Sequence, residues 1–185
     1  MATGDLTSLA NVKQWLNINN TNDDALLTRL VTAASQYIQT WLNRQIASQS
    51  YTDIKDGNGK TKIFFNQYPV TAVTNLVIDT VTIPPSPDGI QPGYTFDARM
   101  LYLIGYATCI AQQNVSVTYT AGYATTPPEI EQACIELCAF RYRERDRIGQ
   151  SSVSAAGETT AYTITDMPKS VATILSNYKR VISTY

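Results

Sequence analysis

Three cysteines are the residues of this chain with the clearest potential for metal or nucleophilic chemistry. Cys134 and Cys138 are spaced four residues apart, which places two thiolates on one face of a helix, where zinc could be bound. The chain has no histidine and no CxxC pair, so a full ligand set and every Ser-His or Cys-His nucleophile arrangement are missing. We therefore predict that Cys109, Cys134 and Cys138 are buried as small hydrophobic residues, and we predict no metal, cofactor or catalytic residue.

Carboxylates are the second group that could do chemistry, because a pair of them can serve as general acid and base. Asp53 and Asp56 lie beside a DGNG segment, and Asp23 and Asp24 precede an apolar helical pattern. Turn and capping hydrogen bonds explain carboxylates at such positions. An enzyme that acts through carboxylates stays open as an alternative.

Alternating arginines close the longest helical pattern, which covers residues 127–148. Arg141, Arg143, Arg145 and Arg147 occupy its last turns, with Tyr142 among them. One interpretation is structural, because the helix dipole favours cations at this end. The other is a contact surface, because arginine binds carboxylates and phosphates in two-pronged geometry. Both interpretations stay open at the level of sequence.

The composition indicates one globular domain over residues 1–185. Hydrophobic residues make up 44% of the chain, charged residues 16%, and the formal net charge is −1. This balance gives no bulk electrostatic case for nucleic-acid binding. We also expect no membrane association, because no apolar run approaches the roughly 20 residues of a spanning helix. The first ten residues lack the basic and apolar regions of a signal peptide, so we expect synthesis in the cytoplasm.

Hydrophobic periodicity predicts an α+β fold, a small bundle of about four helices with antiparallel hairpins or a small sheet between the second and third. Two helices fall within residues 7–45, the first capped by Thr7 or Ser8 and the second beginning with a capping box from Thr21 to Asp24. The β region covers 50–121. It contains a predicted hairpin around DGNG at 51–65 and an irregular, proline-rich excursion at 82–98.

The C-terminal third begins with the helix at 127–148, for which Thr126 and Glu129 have capping-box spacing and Pro127 takes the first helical position. Residues 150–165 are rich in Ser, Ala, Gly and Thr, which predicts a flexible loop. A last helix is predicted at 168–185, with apolar residues on two faces. Such a helix on a flexible tether is suited to docking on a partner.

Several segments in order resemble the head–tail connector, or head-completion adaptor, proteins of tailed bacteriophages. The segments are LTSLANVKQWLNI, NDDALLTRLVTAASQYIQTWLNR, YTDIKDGNGKTKIFF and YPVTAV, and then VTYTAGY, a proline-acidic helix start and a helix that closes RYRER. The resemblance implies a virion structural protein that forms a ring, typically of twelve copies, between the portal vertex and the tail. Such a ring extends the DNA channel and helps complete the head.

From this resemblance we expect the portal protein, a stopper or tail-completion protein and further copies of the chain as partners. Genomic DNA would make passing contact in the channel. The expected location is the virion neck, after assembly in the host cytoplasm. The alternatives are another phage neck or tail-completion protein and, as a third choice, a nucleic-acid-binding module. The candidate interface residues are Arg141, Tyr142, Arg143, Arg145, Arg147, Tyr162, Ile174, Tyr178, Lys179, Arg180 and Tyr185.

Overall fold

The strands of the two larger sheets all lie between the second and third helices. The computed structural model describes residues 4–147, 152–155, 158–161 and 166–180. The chain divides into a helical unit, Met1–Ile46 with Thr126–Tyr185, and a β unit, Ala47–Thr125. The predicted α+β class, with the sheets between helices two and three, is confirmed. The extent of a single domain over 1–185 stays a prediction.

The helical unit is built on two long antiparallel helices. Its helices are α1 (Leu9–Leu16), α2 (Asp24–Leu42), α3 (Pro128–Glu144) and α4 (Lys169–Ser176), and α3 continues into a 3-10 turn, Arg145–Arg147. Cys138 Sγ lies 3.7 Å from the Leu30 carbonyl and Cys134 Sγ 3.6 Å from Ser35 Oγ, so α3 runs opposite to α2. The buried side chains that hold the helices together are Val12, Leu27, Val31, Ala34, Ile38, Leu42, Ile130, Leu137, Val171 and Leu175.

The N-terminal cap of α1 agrees with the sequence prediction, whereas the caps of α2 and α3 differ from it. Ser8 is the N-cap of α1, and its Oγ accepts the Asn11 N–H at 3.2 Å. Asp23 precedes α2 without a side-chain capping bond, so the predicted capping box from Thr21 is wrong. Pro127 is the N-cap of α3, which also has no side-chain cap. The start lies one residue later than predicted because Pro128 takes an early helical position that needs no N–H donor.

The β unit contains two antiparallel sheets. In chain order its strands are β1 (Gln49–Gly57), β2 (Lys62–Phe64), β3 (Val70–Ile78), β4 (Val81–Thr82), β5 (Gly93–Phe96), β6 (Met100–Ile104) and β7 (Ala111–Ala121). One sheet has the order β1-β7-β3-β4 and the other β2-β6-β5. Their inner faces supply one core cluster, so the β unit is a small sandwich.

The predicted hairpin at residues 51–65 is wrong. β1 pairs with β7, where Tyr51 is opposite Tyr119, and β2 pairs with β6. The glycines of DGNG do turn the chain, but the turn carries it from one sheet to the other. The proline-rich segment also contains a strand that the sequence did not predict, because β5 pairs with β6.

Two further strands lie in the segment predicted as a flexible loop. β8 (Ser152–Ala155) and β9 (Glu158–Ala161) pair antiparallel, with Ser152 opposite Ala161. The flexibility of residues 150–165 stays a prediction. Towards the end of the chain, α4 stops at Ser176, so the helix predicted over residues 168–185 is too long.

Tyr119 is the largest fully buried side chain of the β unit, and its hydroxyl joins three segments. The hydroxyl donates to Asp53 Oδ2 at 2.8 Å and accepts the Gln67 N–H at 3.1 Å. The same Asp53 oxygen accepts the Asn66 N–H at 3.0 Å. The network therefore fixes β1 and the turn after β2 to the centre of the sandwich.

Replacing Tyr119 with Phe is expected to lower the free energy of unfolding by about 1–3 kcal/mol, because a partly buried donor and a carboxylate each lose a partner. Urea denaturation of the two proteins measures the loss. Tyr106→Phe is the matched control, since Tyr106 is exposed in a loop and we expect no change there. An unchanged midpoint for Tyr119→Phe would contradict the structural role of the network.

The same residue predicts a dependence on alkaline pH. Burial, with the Asp53 carboxylate as a further cause, raises the pKa of the Tyr119 hydroxyl. A raised pKa means that this stabilisation is fully present below the unfolded value of about 10 and is lost as the pH rises beyond it. The stability difference between wild type and Tyr119→Phe should therefore be constant up to about pH 9.5 and shrink above it.

Candidate docking surfaces

The last turns of α3 carry an arginine tip, which we define as Arg141, Tyr142, Arg143 and Arg145. Arg141 Cζ lies 4.6 Å from the centre of the Tyr37 ring, and Arg145 Cζ lies 4.2 Å from the centre of the Tyr142 ring. Both distances are typical of cation–π contacts. Two of the four tip residues therefore use their charge within the molecule.

Asp23, at the start of α2, anchors the tip. The Tyr142 hydroxyl donates to Asp23 Oδ2 at 2.6 Å, and Arg145 Nη1 lies 3.9 Å from Asp23 Oδ1. Interaction with the Tyr142 hydroxyl raises the pKa of the Arg145 guanidinium further above neutrality. The structural interpretation of the arginines thus holds for Arg141 and Arg145.

Arg143 differs from its neighbours because it is exposed and has no ion pair within the part of the chain that the structure describes. Its guanidinium keeps all its donors for solvent or a partner. Of the tip residues, Arg143 is the one whose position fits the contact interpretation.

A groove of about 470 Å³ runs beside the tip between α2 and α3. Leu26, Leu30 and Phe140 give it an apolar lining, and Arg29 and Glu144 add charges at its sides. Asp166, just before α4, also contributes to the lining. The groove therefore combines an apolar strip with mixed charge, which is a surface suited to an amphipathic segment.

The second predicted contact region follows α4, and we call it the C-terminal surface (Tyr178, Lys179 and Arg180). The Tyr178 hydroxyl donates to Glu129 Oε2 at 2.8 Å, and Lys179 Nζ lies 4.5 Å from the centre of the Trp41 ring. The Arg180 N–H donates to the Leu42 carbonyl at 3.0 Å. This segment is therefore held at the C-terminal end of α2 and the N-terminal end of α3. Lys179 and Arg180 were predicted to be helical, but they follow the end of α4.

The structure does not bring the two predicted regions together. Glu129 and Arg145 mark the two ends of α3, which are 16 residues apart and so separated by about 24 Å at 1.5 Å per residue. The arginine tip lies at one end of the helical unit and the C-terminal surface at the other. The two candidate surfaces are therefore separate within the helical unit.

The remaining candidate residues are placed only in part. Ile174 is half-buried on α4, whose Val171 and Leu175 are fully buried. Arg147 ends the 3-10 turn, and its side chain is outside the described part. Tyr162 and Tyr185 lie outside the described residues, so their assignment to an interface stays a prediction.

Sequence reasoning missed the residues that hold the two surfaces. Tyr37, Asp23 and Trp41 all belong to α2 or its start, more than 100 positions before the residues they contact. Asp23 is one of the carboxylates for which turn and capping hydrogen bonds were predicted. An aromatic residue beside the polar face of α2 was the available signal, because cations stack on such rings.

The structure places the three cysteines in different environments. Cys134 and Cys138 are buried as predicted, whereas Cys109 is exposed, so the prediction of three core cysteines is wrong for Cys109. A hydrogen bond with Cys134 and burial raise the pKa of the Cys138 thiol, which keeps it protonated and a poor ligand. Within the described residues no group of three or more Cys, Asp or Glu could hold a metal ion.

The carboxylates beside DGNG have structural partners. Asp53 serves the Tyr119 network, and Asp56 Oδ1 accepts the Gln113 N–H at 2.7 Å. Both side chains thus have structural partners, but these lie 13 to 66 residues away along the chain, so the local turn bonds predicted for them are not the ones that form. No helix in the described ranges is long and apolar enough to cross a membrane.

Replacing Arg145 with Ala tests the internal role of the tip. We expect a small loss in the free energy of unfolding, because the stacking and the ion pair are both exposed to solvent. Chemical denaturation at low and high salt measures it, and the loss should shrink at high salt. Arg143→Ala is the control, with no expected change in stability; equal losses from the two variants would contradict the assigned contacts.

The fold and its two surfaces define a class, an α+β protein in which a β unit is inserted between two antiparallel helices of a small bundle. The chain belongs to the head completion protein family, whose family model matches residues 5–181. This agrees with the resemblance found in the sequence. No curated protein sequence matches the chain.

Solved structures with the same fold come from a gene transfer agent (GTA) particle. A chain from the neck of the empty particle, computed with C6 symmetry, has a TM-score of 0.63. A chain from the neck of the native particle, computed with C12 symmetry, has a TM-score of 0.61. Each is 18% identical to this chain, and the match covers 100% of this chain and 94% of the other. At this identity the likeness concerns the fold.

Proposed function

We propose that the chain is a virion structural protein that forms a ring adaptor between the portal vertex and the tail or stopper protein. The ring would extend the DNA channel, help complete the head and act without catalytic turnover. Membership of the head completion protein family supports a structural role in the virion. Similar chains occur in a particle neck, one of them in a map with C12 symmetry, which supports a twelve-membered ring.

The observation that carries the adaptor role is the position of the two contact surfaces. An adaptor must bind one partner above it and another below it. The arginine tip and the C-terminal surface lie about 24 Å apart at opposite ends of the helical unit. Arg143 is exposed at one end, and Lys179 is exposed at the other. Arg143 forms no ion pair among the described residues, and Lys179, although its ammonium lies over the Trp41 ring, is exposed, so an acidic partner surface can contact a cation at each end.

The test is binding of the purified chain to its cognate portal protein and, separately, to its cognate tail or stopper protein. We expect Arg143→Ala to weaken binding to one partner about tenfold, equivalent to 1.4 kcal/mol, and to leave the other unchanged. Lys179→Ala should have the reverse pattern. Lys60→Ala, which removes the same charge from an exposed loop of the β unit, is the matched control.

Failure of the wild-type chain to bind portal would contradict the proposal. Binding to the tail tube without portal binding would instead support a tail-completion protein. An affinity for DNA that falls steeply with increasing salt, and that Arg143→Ala reduces, would support a nucleic-acid-binding module. The enzyme alternative requires that Asp53→Asn or Asp56→Asn abolish an activity without altering assembly.

A further inference from the structure

The turn between β1 and β2 contains Asn58–Gly59, the one Asn–Gly pair of the sequence. Both residues are exposed to solvent. In such a pair the backbone nitrogen of the glycine is only a few bonds from the side-chain carbonyl carbon of the asparagine. Because glycine has no Cβ, no side chain of its own hinders attack by that nitrogen. The pair is therefore a candidate for cyclisation of the backbone onto a side chain.

Two donors converge on the side-chain oxygen of Asn58. The Lys60 N–H donates to Asn58 Oδ1 at 3.0 Å, and the Thr108 hydroxyl lies 3.3 Å from the same atom. Thr108 is buried, and its Oγ1 accepts the Asn58 N–H at 3.2 Å, so the hydroxyl is fixed beside the amide. Its hydrogen is shared with the Lys60 carbonyl oxygen, at 3.0 Å. Donors placed in this way stabilise the negative charge that develops on an acyl oxygen under attack by a nucleophile.

Asn20 has the same turn bond without the other features. Its Oδ1 accepts the Asn22 N–H at 3.2 Å, and Asn20 is exposed like Asn58. The next residue is threonine, whose branched side chain crowds the nitrogen that would have to attack. No second donor to this oxygen is found in the part of the chain that the structure describes. Asn20 is thus an internal reference for a turn asparagine that should stay intact.

Asp88 has the glycine and two donors, but its side chain is an acid. A glycine follows it, and Asp88 Oδ1 accepts the N–H groups of Ile90 and Gln91, each at 2.9 Å. Those bonds, that of Gln91 first, lower the pKa of the Asp88 carboxyl. A carboxylate repels a nucleophile and has no good leaving group, whereas the neutral Asn58 amide can release ammonia. Of the three turns, only that of Asn58 combines a following glycine, a second donor and an uncharged acyl group.

We propose that Asn58 is a site of spontaneous modification, at which the chain cyclises and then opens to aspartate or isoaspartate. The Gly59 nitrogen gives its proton to solvent base and bonds to Asn58 Cγ, while the carbonyl electron pair moves to Oδ1. The oxyanion then collapses, the Cγ–Nδ2 bond breaks, and Nδ2 takes up a proton and leaves as ammonia. Water next breaks one of the two ring bonds to the Gly59 nitrogen. Breaking the bond to Cγ gives aspartate, and breaking the bond to the backbone carbonyl carbon gives isoaspartate.

Both products change the turn that joins the two sheets. They carry a new carboxylate beside Lys55 and Lys62, which line the same small cavity as Asn58. Aspartate keeps the oxygen that accepts the Lys60 N–H. Isoaspartate lengthens the backbone between the two groups that Thr108 Oγ1 contacts, the Asn58 N–H and the Lys60 carbonyl, so it should loosen the turn. This inference does not depend on the proposed adaptor function.

Peptide mapping by mass spectrometry tests the proposal on the folded chain during incubation at neutral and at mildly alkaline pH. Chromatography separates the aspartate and isoaspartate peptides. We expect both products at Asn58, formed faster at the higher pH because the Gly59 nitrogen must lose its proton, and we expect Asn20 to stay intact in the same digests. The chain unfolded in concentrated urea is the positive control, since the Asn–Gly pair reacts there without the fold.

The role of the donors is tested with Thr108→Val, which removes the hydroxyl and keeps the shape of the side chain. We expect conversion of Asn58 to be at least about threefold slower, because one donor to the acyl oxygen is lost. Thr108→Ser restores a hydroxyl and should restore the rate. Circular dichroism should show that both variants are folded.

Two results would overturn the inference. If Asn58 stayed intact in the folded chain while it converted in urea, the fold would protect the pair. If Thr108→Val converted as fast as the wild type or faster, the bonds to Oδ1 would restrain the amide and not activate it.

Discussion

Replacing Gly122 with Ala is expected to lower the free energy of unfolding by about 3 kcal/mol or more, from backbone strain of about 1–3 kcal/mol and a comparable cost of overpacking. Gly122 follows β7 with φ +116°, a conformation that residues with a side chain rarely adopt. A Cβ at this position would lie 2.5 Å from the Ala47 carbonyl oxygen. The Gly122 N–H donates to the Pro69 carbonyl at 2.9 Å, so the backbone is held on this side too.

The matched control is Gly89→Ala. Gly89 also has positive φ, +74°, but a Cβ there would meet only the Thr95 methyl group, at 4.0 Å. We expect a loss of about 1–2 kcal/mol, from the left-handed conformation alone. Urea denaturation measures both variants, and hydrogen exchange should locate the Gly122→Ala effect in β1, β3 and β7. Similar losses for the two glycines would contradict the steric argument.

The second large effect is expected for Leu137→Ala in the helical unit. Leu137 is fully buried at the middle of α3, the helix that contacts α1, α2 and α4. Removing its side chain leaves a cavity among three helices, and such truncations cost about 2–5 kcal/mol.

Chemical denaturation followed by helical circular dichroism measures this loss. Arg143→Ala lies on the same helix and is exposed, so its change should stay within about 0.5 kcal/mol. A loss below about 1 kcal/mol for Leu137→Ala would mean that the site collapses around the smaller side chain, contrary to the close packing we assign to α3.

The helices were predictable because their signal is local. Leu27, Val31, Ala34, Ile38 and Leu42 recur at helical spacing, and all five are buried in α2. The strand VTYTAGY was predictable for the same reason, since Val115, Val117 and Tyr119 alternate and all face the core.

Strand pairing was the part that the sequence could not supply. The DGNG segment has the chemistry of a hairpin turn, yet β1 pairs with a strand that begins more than 50 residues later. A turn motif predicts that the chain reverses direction, but it does not predict which strand pairs with the one before the turn. The alternation in β1 fits either partner, because both would bury Tyr51 and Asp53 on the same side.

The docking surfaces were predictable in residue type and not in arrangement. The four alternating arginines are evident from the sequence, but nothing in it separates Arg141 and Arg145, which stack on aromatic rings, from Arg143, for which no such contact is found among the described residues. That distinction depends on Tyr37 and Asp23, which the fold brings from a distant helix. In the same way, Tyr178 contacts Glu129 just after the end of α4, and no periodicity predicts that contact.

The parallel bridge between Ala47 and Tyr123 places the first residue of the β unit beside a residue that lies two positions before its last. Neighbouring strands lie only about 4.8 Å apart, so the whole β unit spans no more distance between its ends than a tight loop does. Residues 47–125 therefore connect Ile46 to Thr126 over a distance that a short linker could also cover. Exchange of this segment as a cassette, with a longer, shorter or differently decorated sandwich, therefore requires no change in the path of α2 or α3.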